Sequence, residues 1–86
     1  MSALVRNFGV AVRQLREAHA WSQEQLAEYA GLNRSYVGEI ERGTAIASLV
    51  TLGKLAEAFG VSAAALLEAA VAPPSAAGPS HSAVVP

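Results

Sequence analysis

Signals for starting and stopping a helix recur at short intervals along this chain, and they constrain its fold more than any other feature. Four polar residues that can cap a helix N-terminus precede apolar segments: Ser22, Asn33, Ser48 and Ser62. Three glycines stand where the end of a helix needs a residue that tolerates positive φ: Gly31, Gly43 and Gly60. Only short helices fit between these signals, and no alternating pattern is long enough to indicate a strand.

The N-terminal segment adds a longer helix. Side chains three and four residues apart indicate one face of an α-helix: Val5, Phe8, Val12, Leu15 and His19. The cap at Ser22 has Gln25 at the third helical position, which predicts a capping box. Trp21 before the cap and Leu26 at the fourth helical position predict a hydrophobic staple. We therefore predict an all-α fold of five helices, at residues 3–19, 23–30, 34–42, 49–59 and 63–71.

Composition sets the size of the folded unit. Of the 86 residues, 52% are hydrophobic and 15% are charged, so the chain is too apolar to be disordered along its whole length. Proline, serine and small residues take over at Pro73. We predict one domain at residues 1–72, followed by a flexible Pro/Ser/Ala-rich tail at residues 73–86.

Several functional classes are disfavoured by what the sequence lacks. With no cysteine, the chain has no disulfide, thiolate metal site or cysteine nucleophile, which fits a reducing cytoplasm. His19 and His81 are not at metal-ligand or nucleophile-base spacing, so we expect no enzyme activity, metal, cofactor or small-molecule ligand. No segment reads as a membrane span or secretory signal, so we expect a cytoplasmic protein with no membrane partner. The net charge is −1, so any binding of nucleic acid depends on where the charges lie.

The link between the second and third predicted helices spans only residues 31–33. So short a link makes two helices cross steeply, which is the geometry of a helix-turn-helix. Ala27 offers a small side chain at the crossing, and Val37 and Ile40 face the shared core. The second and third helices are therefore predicted to form a helix-turn-helix.

Many spaced positions agree with one known pattern. They are Phe8-Gly9, Ser22–Ala27, Ala30–Leu32, Arg34–Val37, Ile40–Gly43, Ser48-Leu49 and Leu55–Ser62. On these segments, residues 8–68 resemble the lambda-repressor/Cro-type (XRE) helix-turn-helix family. The stretch Arg34–Gly43 also resembles the small controller proteins of restriction-modification systems. The resemblance implies a compact five-helix, lambda-repressor-like DNA-binding domain.

The outer face of the third helix is the candidate base-reading surface. At about 100° per residue, four residues point away from the core, with Arg34 at the margin. They are Ser35, Gly38, Glu39 and Arg42. An arginine can bind guanine O6 and N7, a glutamate can accept from cytosine N4, and a serine can bind either base. Gly38 is expected to let the backbone approach the groove, and the alternative for all of them is an ordinary solvated helix face.

Phosphate contacts are expected around this face. In the resembling family the glutamine that corresponds to Gln23 touches the DNA backbone, and a helix N-terminus favours the same contact. Asn33 is a cap and a candidate phosphate donor, and Tyr36 either packs at the edge or binds phosphate through its hydroxyl. Arg42 either complements the helix dipole or binds a phosphate. The remaining candidates are Thr44, in a loop without a cation, and Arg13, outside the buried stripe of its helix.

The resemblance also implies an ion pair within the fold. Arg16 lies beside the apolar stripe of the first helix, and Glu41 lies beside that of the third. In the resembling family the equivalent residues form a buried pair that ties these helices together. Both residues are therefore assigned to structure.

Five apolar residues have no obvious place in so small a core: Ile46, Leu49, Val50, Leu67 and Val71. An uncovered apolar patch on a short domain usually marks an interface, and this region pairs about a two-fold axis in resembling proteins. We therefore predict a homodimer that reads a pseudo-palindromic operator with half-sites about one DNA turn apart. Simple exposure of single apolar residues is the alternative.

The leading hypothesis is a sequence-specific transcriptional regulator that binds double-stranded DNA through the major groove as a homodimer. When bound, it would be associated with the nucleoid. The alternative is a protein-binding module, an antitoxin or adaptor that uses a helix-turn-helix fold. The net charge of −1 and the uncharged loop favour this alternative.

Overall fold

The structure, a computed structural model, describes residues 2–71, and this part of the chain forms five α-helices and no strand. The helices are α1 (Ala3–Ala18), α2 (Gln23–Ala30), α3 (Arg34–Arg42), α4 (Leu49–Phe59) and α5 (Ala63–Val71). The predicted all-α fold is confirmed, as are the bounds of α2 to α5, and α1 ends one residue earlier than predicted. The predicted tail at residues 73–86 lies outside the described residues.

The predicted caps explain why these boundaries are so sharp. At each cap the side-chain oxygen accepts from the backbone N–H three residues later: Ser22 from Gln25, Asn33 from Tyr36, Ser48 from Thr51 and Ser62 from Ala65. Gln25 completes the capping box, because its Oε1 accepts from the backbone N–H of Ser22 at 2.8 Å. The three glycines adopt φ values of 71°, 79° and 74°, as helix stops of this kind require.

The end of α1 uses the same backbone geometry without a glycine. Ala20 has a φ of 60° and is the one non-glycine residue with positive φ between residues 2 and 71. The N–H of Trp21 donates to the carbonyl of Arg16 at 3.1 Å, and the N–H of Ala20 donates to that of Glu17 at 2.9 Å. This pattern is a Schellman motif with alanine in the left-handed position, where its Cβ is unfavourable.

We expect Ala20→Gly to stabilise the protein by about 0.5–1 kcal/mol. Glycine removes a steric penalty of roughly 1–2 kcal/mol, and its larger entropy in the unfolded chain cancels part of the gain. Urea unfolding followed by circular dichroism measures the change. The control is Ala69→Gly, at an exposed position inside α5, which should destabilise by about 1 kcal/mol. Destabilisation by both variants would contradict the argument.

The core lies where α1 packs against α3 and α5, and where α2 and α4 close the other side. Its fully buried large side chains are Val12, Leu26, Val37, Ile40, Leu55 and Leu66. Trp21 extends the core, with ring centroids 4.3 Å from His19 and 5.9 Å from Phe59. The prediction that His19 continues the buried face of α1 is wrong, because the helix has ended there and the exposed imidazole covers the indole of Trp21.

Two kinds of feature are not found between residues 2 and 71. No single helix there has both the length and the apolarity to cross a membrane; α4 and α5 meet these criteria only as a pair, and they are bent by 102° at their link. In the same region, no three His, Cys, Asp or Glu side chains lie close enough together to hold a metal ion.

Candidate nucleic-acid interface

The turn between α2 and α3 is closed by local hydrogen bonds. The N–H of Leu32 donates to the carbonyl of Ala27 at 2.8 Å, which ends α2. The chain bends at Gly31, three residues before the start of α3, and the Asn33 side chain then caps the new helix. Ala27 is only 4% exposed, so its small side chain lies within the contact between the two helices. This arrangement is the predicted helix-turn-helix.

One side of α3 is buried and the other is exposed. Val37 and Ile40 are buried in the core, with Tyr36 and Glu41 partly buried beside them. The exposed side chains, which we call the α3 outer face, are Arg34, Ser35, Glu39 and Arg42. This face combines the two cationic side chains with an acceptor and a hydroxyl, a mixture that suits hydrogen bonding to base edges and phosphates.

The prediction that Gly38 is exposed on this outer face is wrong, although Gly38 is in helical register with exposed Arg34 and Arg42. Gly38 is buried, because side chains from two helices lie over its Cα. A Cβ built at this position would lie 3.2 Å from Nη1 of Arg42 and 3.6 Å from Oε1 of Gln23. The helical period of α3 predicts the direction in which a residue points, but it cannot predict that a side chain from α2 reaches across to cover it.

A carboxylate on α3 joins the first three helices. Arg16 donates from Nε to Oε2 of Glu41 at 2.6 Å and from Nη2 to Oε1 at 3.1 Å. Gln23 donates from Nε2 to the same Oε1 at 3.0 Å. Arg16 also donates from Nη1 to the carbonyl of Trp21 at 2.8 Å, just before α2. We call these residues the Glu41 network, and it contains the ion pair that the resemblance implied.

The Glu41 network is largely shielded from water. The side chains of Arg16 and Glu41 are 13% and 4% exposed. The hydrogen bond to Glu41 raises the pKa of Arg16 above its ordinary high value, although burial acts in the opposite direction. Because the guanidinium stays charged and each oxygen of the carboxylate is bonded, the network holds Gln23 at a fixed place beside α3.

Two other side chains that were predicted to bind phosphate, Tyr36 and Thr44, already form hydrogen bonds within the protein. The hydroxyl of Tyr36 donates to the carbonyl of Ile46 at 3.3 Å and lies 3.3 Å from Oγ1 of Thr51. The hydroxyl of Thr44 donates to the carbonyl of Glu39 at 3.2 Å. Both side chains therefore attach the loop after α3 to the helices on either side of it.

Arg13 lies on the exposed surface of α1. Its Nε is 3.1 Å from Oε2 of Glu17, and the two side chains are 63% and 54% exposed. An exposed pair of this kind at i,i+4 contributes little to stability. The guanidinium can therefore exchange this carboxylate for a phosphate at low cost.

Gly9 is a structural residue that the sequence analysis quoted in a motif without giving it a role. A Cβ at Gly9 would lie 2.2 Å from the carbonyl oxygen of Ile40 and 2.8 Å from that of Glu41. The backbones of α1 and α3 therefore touch here, and only glycine fits. Its position next to buried Phe8, inside a strongly amphipathic helix, was the available signal.

The five residues of the predicted interface are all exposed, which defines what we call the apolar patch. Their exposed fractions are 68% for Ile46, 84% for Leu49, 68% for Val50, 41% for Leu67 and 68% for Val71. Leu4, which the sequence analysis missed, is 51% exposed and lines the same apolar hollow as Ile46, Leu49 and Leu67. The patch lies on elements other than the α3 outer face.

Comparison with known proteins gives consistent matches. The helix-turn-helix family matches residues 12–66. Control protein C.BamHI of Bacillus amyloliquefaciens is 44% identical over 62 residues, which are 71% of this chain and 76% of the relative. The HTH-type transcriptional regulator SutR of Escherichia coli is 32% identical over 80 residues, which are 93% of this chain but 43% of that protein. The solved structure of the restriction-modification controller protein C.AhdI from Aeromonas hydrophila has a TM-score of 0.69 and 49% identity, covering 73% of this chain and 94% of that one.

Proposed function

Because the chain belongs to the XRE-type helix-turn-helix family, as its sequence resemblance predicted, we propose that it is a sequence-specific transcriptional regulator that binds double-stranded DNA. It acts as a homodimer on a pseudo-palindromic operator, in the cytoplasm. The matched relatives are control proteins and transcriptional regulators, not enzymes. The observation that carries the proposal is the α3 outer face, which is polar and exposed on a helix whose other side is packed into the core.

In this proposal α3 enters the major groove and reads bases with side chains of its outer face. Arg34 binds guanine through O6 and N7, Glu39 accepts from cytosine N4, and Ser35 bonds to either base. The helix is suited to this task because buried Val37 and Ile40 prevent it from rotating about its axis. A rigid helix holds its side chains in register with the base edges.

Backbone phosphates are bound by side chains that border the α3 outer face. Gln23 is held by the Glu41 network at the start of α2, where unpaired backbone N–H groups also attract an anion. Asn33 contributes from the start of α3 and Arg13 from α1. Tyr36 and Thr44 contribute only by exchanging the hydrogen bonds that their hydroxyls donate to Ile46 and Glu39 for bonds to phosphate. These contacts position the protein on the duplex and carry little sequence information.

Dimerisation through the apolar patch completes the proposal. Exposure of so many apolar side chains to water is unfavourable. Contact with the same patch of a second copy would bury Leu49 and its neighbours. A two-fold axis at this surface would present two copies of α3 about 34 Å apart, which matches successive major grooves. An inverted repeat is the operator that such a pair reads.

Selection of bound duplexes from a random pool tests this function. We expect enrichment of an inverted repeat with half-sites about one helical turn apart. Arg34→Ala should then weaken binding by about 1–3 kcal/mol and relax the preference at one base pair. Gln23→Ala should weaken binding to all duplexes alike. Gln14→Ala, at an exposed neutral position of α1, is the control and should leave affinity unchanged.

If the folded protein enriches no duplex, the proposed function is wrong, and the protein-binding module becomes the better explanation. The net charge of −1 and the apolar patch are the features that would support it. Enrichment of a single half-site without its inverted copy would retain DNA binding and reject the homodimer.

A further inference from the structure

Gly38 stands inside α3, where glycine is a poor helix former. Its backbone does not need glycine, because between residues 2 and 71 the glycines with positive φ are Gly31, Gly43 and Gly60. Nor does it face open solvent. The reason for glycine at this position must therefore be the space that a missing Cβ leaves free.

That space is occupied by two polar side chains from different helices. The guanidinium of Arg42 folds back along α3, so that Nη1 lies 3.2 Å from the place of a Cβ at Gly38. The amide of Gln23 reaches across from α2, with Oε1 at 3.6 Å and Nε2 at 3.9 Å from the same point. The two polar ends are thus less than about 7 Å apart, on either side of one Cα.

Both groups retain capacity to bind an anion. Gln23 uses one N–H of its amide on Glu41, and the second N–H remains for another acceptor. Glu41, the carboxylate to which Gln23 is bonded, is already neutralised by Arg16. Within residues 2–71 Arg42 takes part in no ion pair, and its side chain is exposed.

We propose that Gly38 is a positioning residue for DNA binding: its missing side chain lets Arg42 and Gln23 converge into one clamp for a single backbone phosphate. This inference rests on the proposed function and specifies how that function anchors α3. The clamp spans both helices of the helix-turn-helix, so the phosphate fixes their common orientation on the duplex. A guanidinium and an amide give charge-assisted and neutral hydrogen bonds to two phosphate oxygens. A base edge is a poorer fit, since Gln23 lies on α2 outside the α3 outer face.

The test is Gly38→Ala, because this variant should move stability and affinity in opposite directions. Alanine favours the helix, and its closest neighbour is the flexible end of Arg42, which can swing away, so the melting temperature should equal or exceed that of the wild type. Displacing Arg42 loses a charged phosphate contact, so DNA affinity should fall about tenfold. The loss should be the same for all duplexes, and the slope of log K against log salt should shrink by about 0.9 per subunit.

A double-mutant cycle with Arg42→Ala provides the control. Arg42→Ala alone should lose about as much affinity as Gly38→Ala, and Gly38→Ala should have little further effect in the Arg42→Ala background. Three results would each overturn the inference while leaving the proposed function intact. They are wild-type DNA affinity in folded Gly38→Ala, a loss of affinity confined to one base pair, and an equally large loss of affinity when Gly38→Ala is added to Arg42→Ala. Failure of the wild-type protein itself to select any duplex would overturn both.

Discussion

Arg16→Met is expected to lower the free energy of unfolding by about 3–5 kcal/mol. Methionine keeps much of the apolar stem of the arginine but leaves the carboxylate of Glu41, only 4% exposed, without its cation. The remaining partner of Glu41 is the neutral amide of Gln23. A small domain has a total stability of roughly 5–15 kcal/mol, so this single change would bring the protein close to unfolding.

The same substitution also releases the turn before α2. The carbonyl of Trp21 loses the hydrogen bond at 2.8 Å from Nη1 of Arg16. Three hydrogen-bonding nitrogens of one side chain therefore hold α1, the start of α2 and the end of α3 together. We expect DNA affinity to fall with stability, because Gln23 depends on the same carboxylate for its position.

Urea unfolding of two further variants separates the ion pair from simple side-chain loss. Arg16→Met combined with Glu41→Leu removes both charges, and it should recover most of the stability lost in the single variant. Arg13→Ala removes an arginine of α1 whose ion pair with Glu17 is exposed, and it should cost less than about 0.5 kcal/mol. A cost for Arg16→Met as small as that for Arg13→Ala would show that the Glu41 network does not stabilise the fold.

The helix boundaries were predictable because they depend on residues close together in sequence. Ser22 and Gln25 form their capping box across a single turn, whatever the rest of the chain does. Gly31 and Gly60 end their helices through their own φ angles. Even the exception follows this pattern: α1 ends in the same left-handed geometry at Ala20, where the residue type gives no signal.

The candidate site was predictable only in part, because its geometry depends on contacts between helices. The periodicity of α3 correctly separated exposed Arg34 and Glu39 from buried Ile40. It did not predict that Gly38 is buried, because one of the two side chains that cover this glycine, that of Gln23, comes from α2. The partner of the Tyr36 hydroxyl was likewise unpredictable, since it belongs to a loop whose path is set by tertiary packing.

Gly9→Ala is expected to cost about 3–5 kcal/mol of stability, and it is the most severe test of how α3 is positioned. The added methyl would lie 2.2 Å from the carbonyl oxygen of Ile40, well inside van der Waals contact. Both atoms belong to the backbone or are attached to it directly, so no side-chain rotation relieves the overlap. Relief requires α1 and α3 to move apart, and this movement stretches the bonds between Arg16 and Glu41.

This cost must outweigh the better helix propensity of alanine, which contributes about 1 kcal/mol in the opposite direction. Gly53→Ala isolates that gain, because Gly53 also lies inside a helix and its Cβ would have no neighbour within 4 Å. Urea unfolding should therefore show Gly53→Ala to be more stable than the wild type and Gly9→Ala to be far less stable. If both variants were stabilised, the close contact between α1 and α3 would be absent in solution, and the position of α3 would have to depend on the Glu41 network alone.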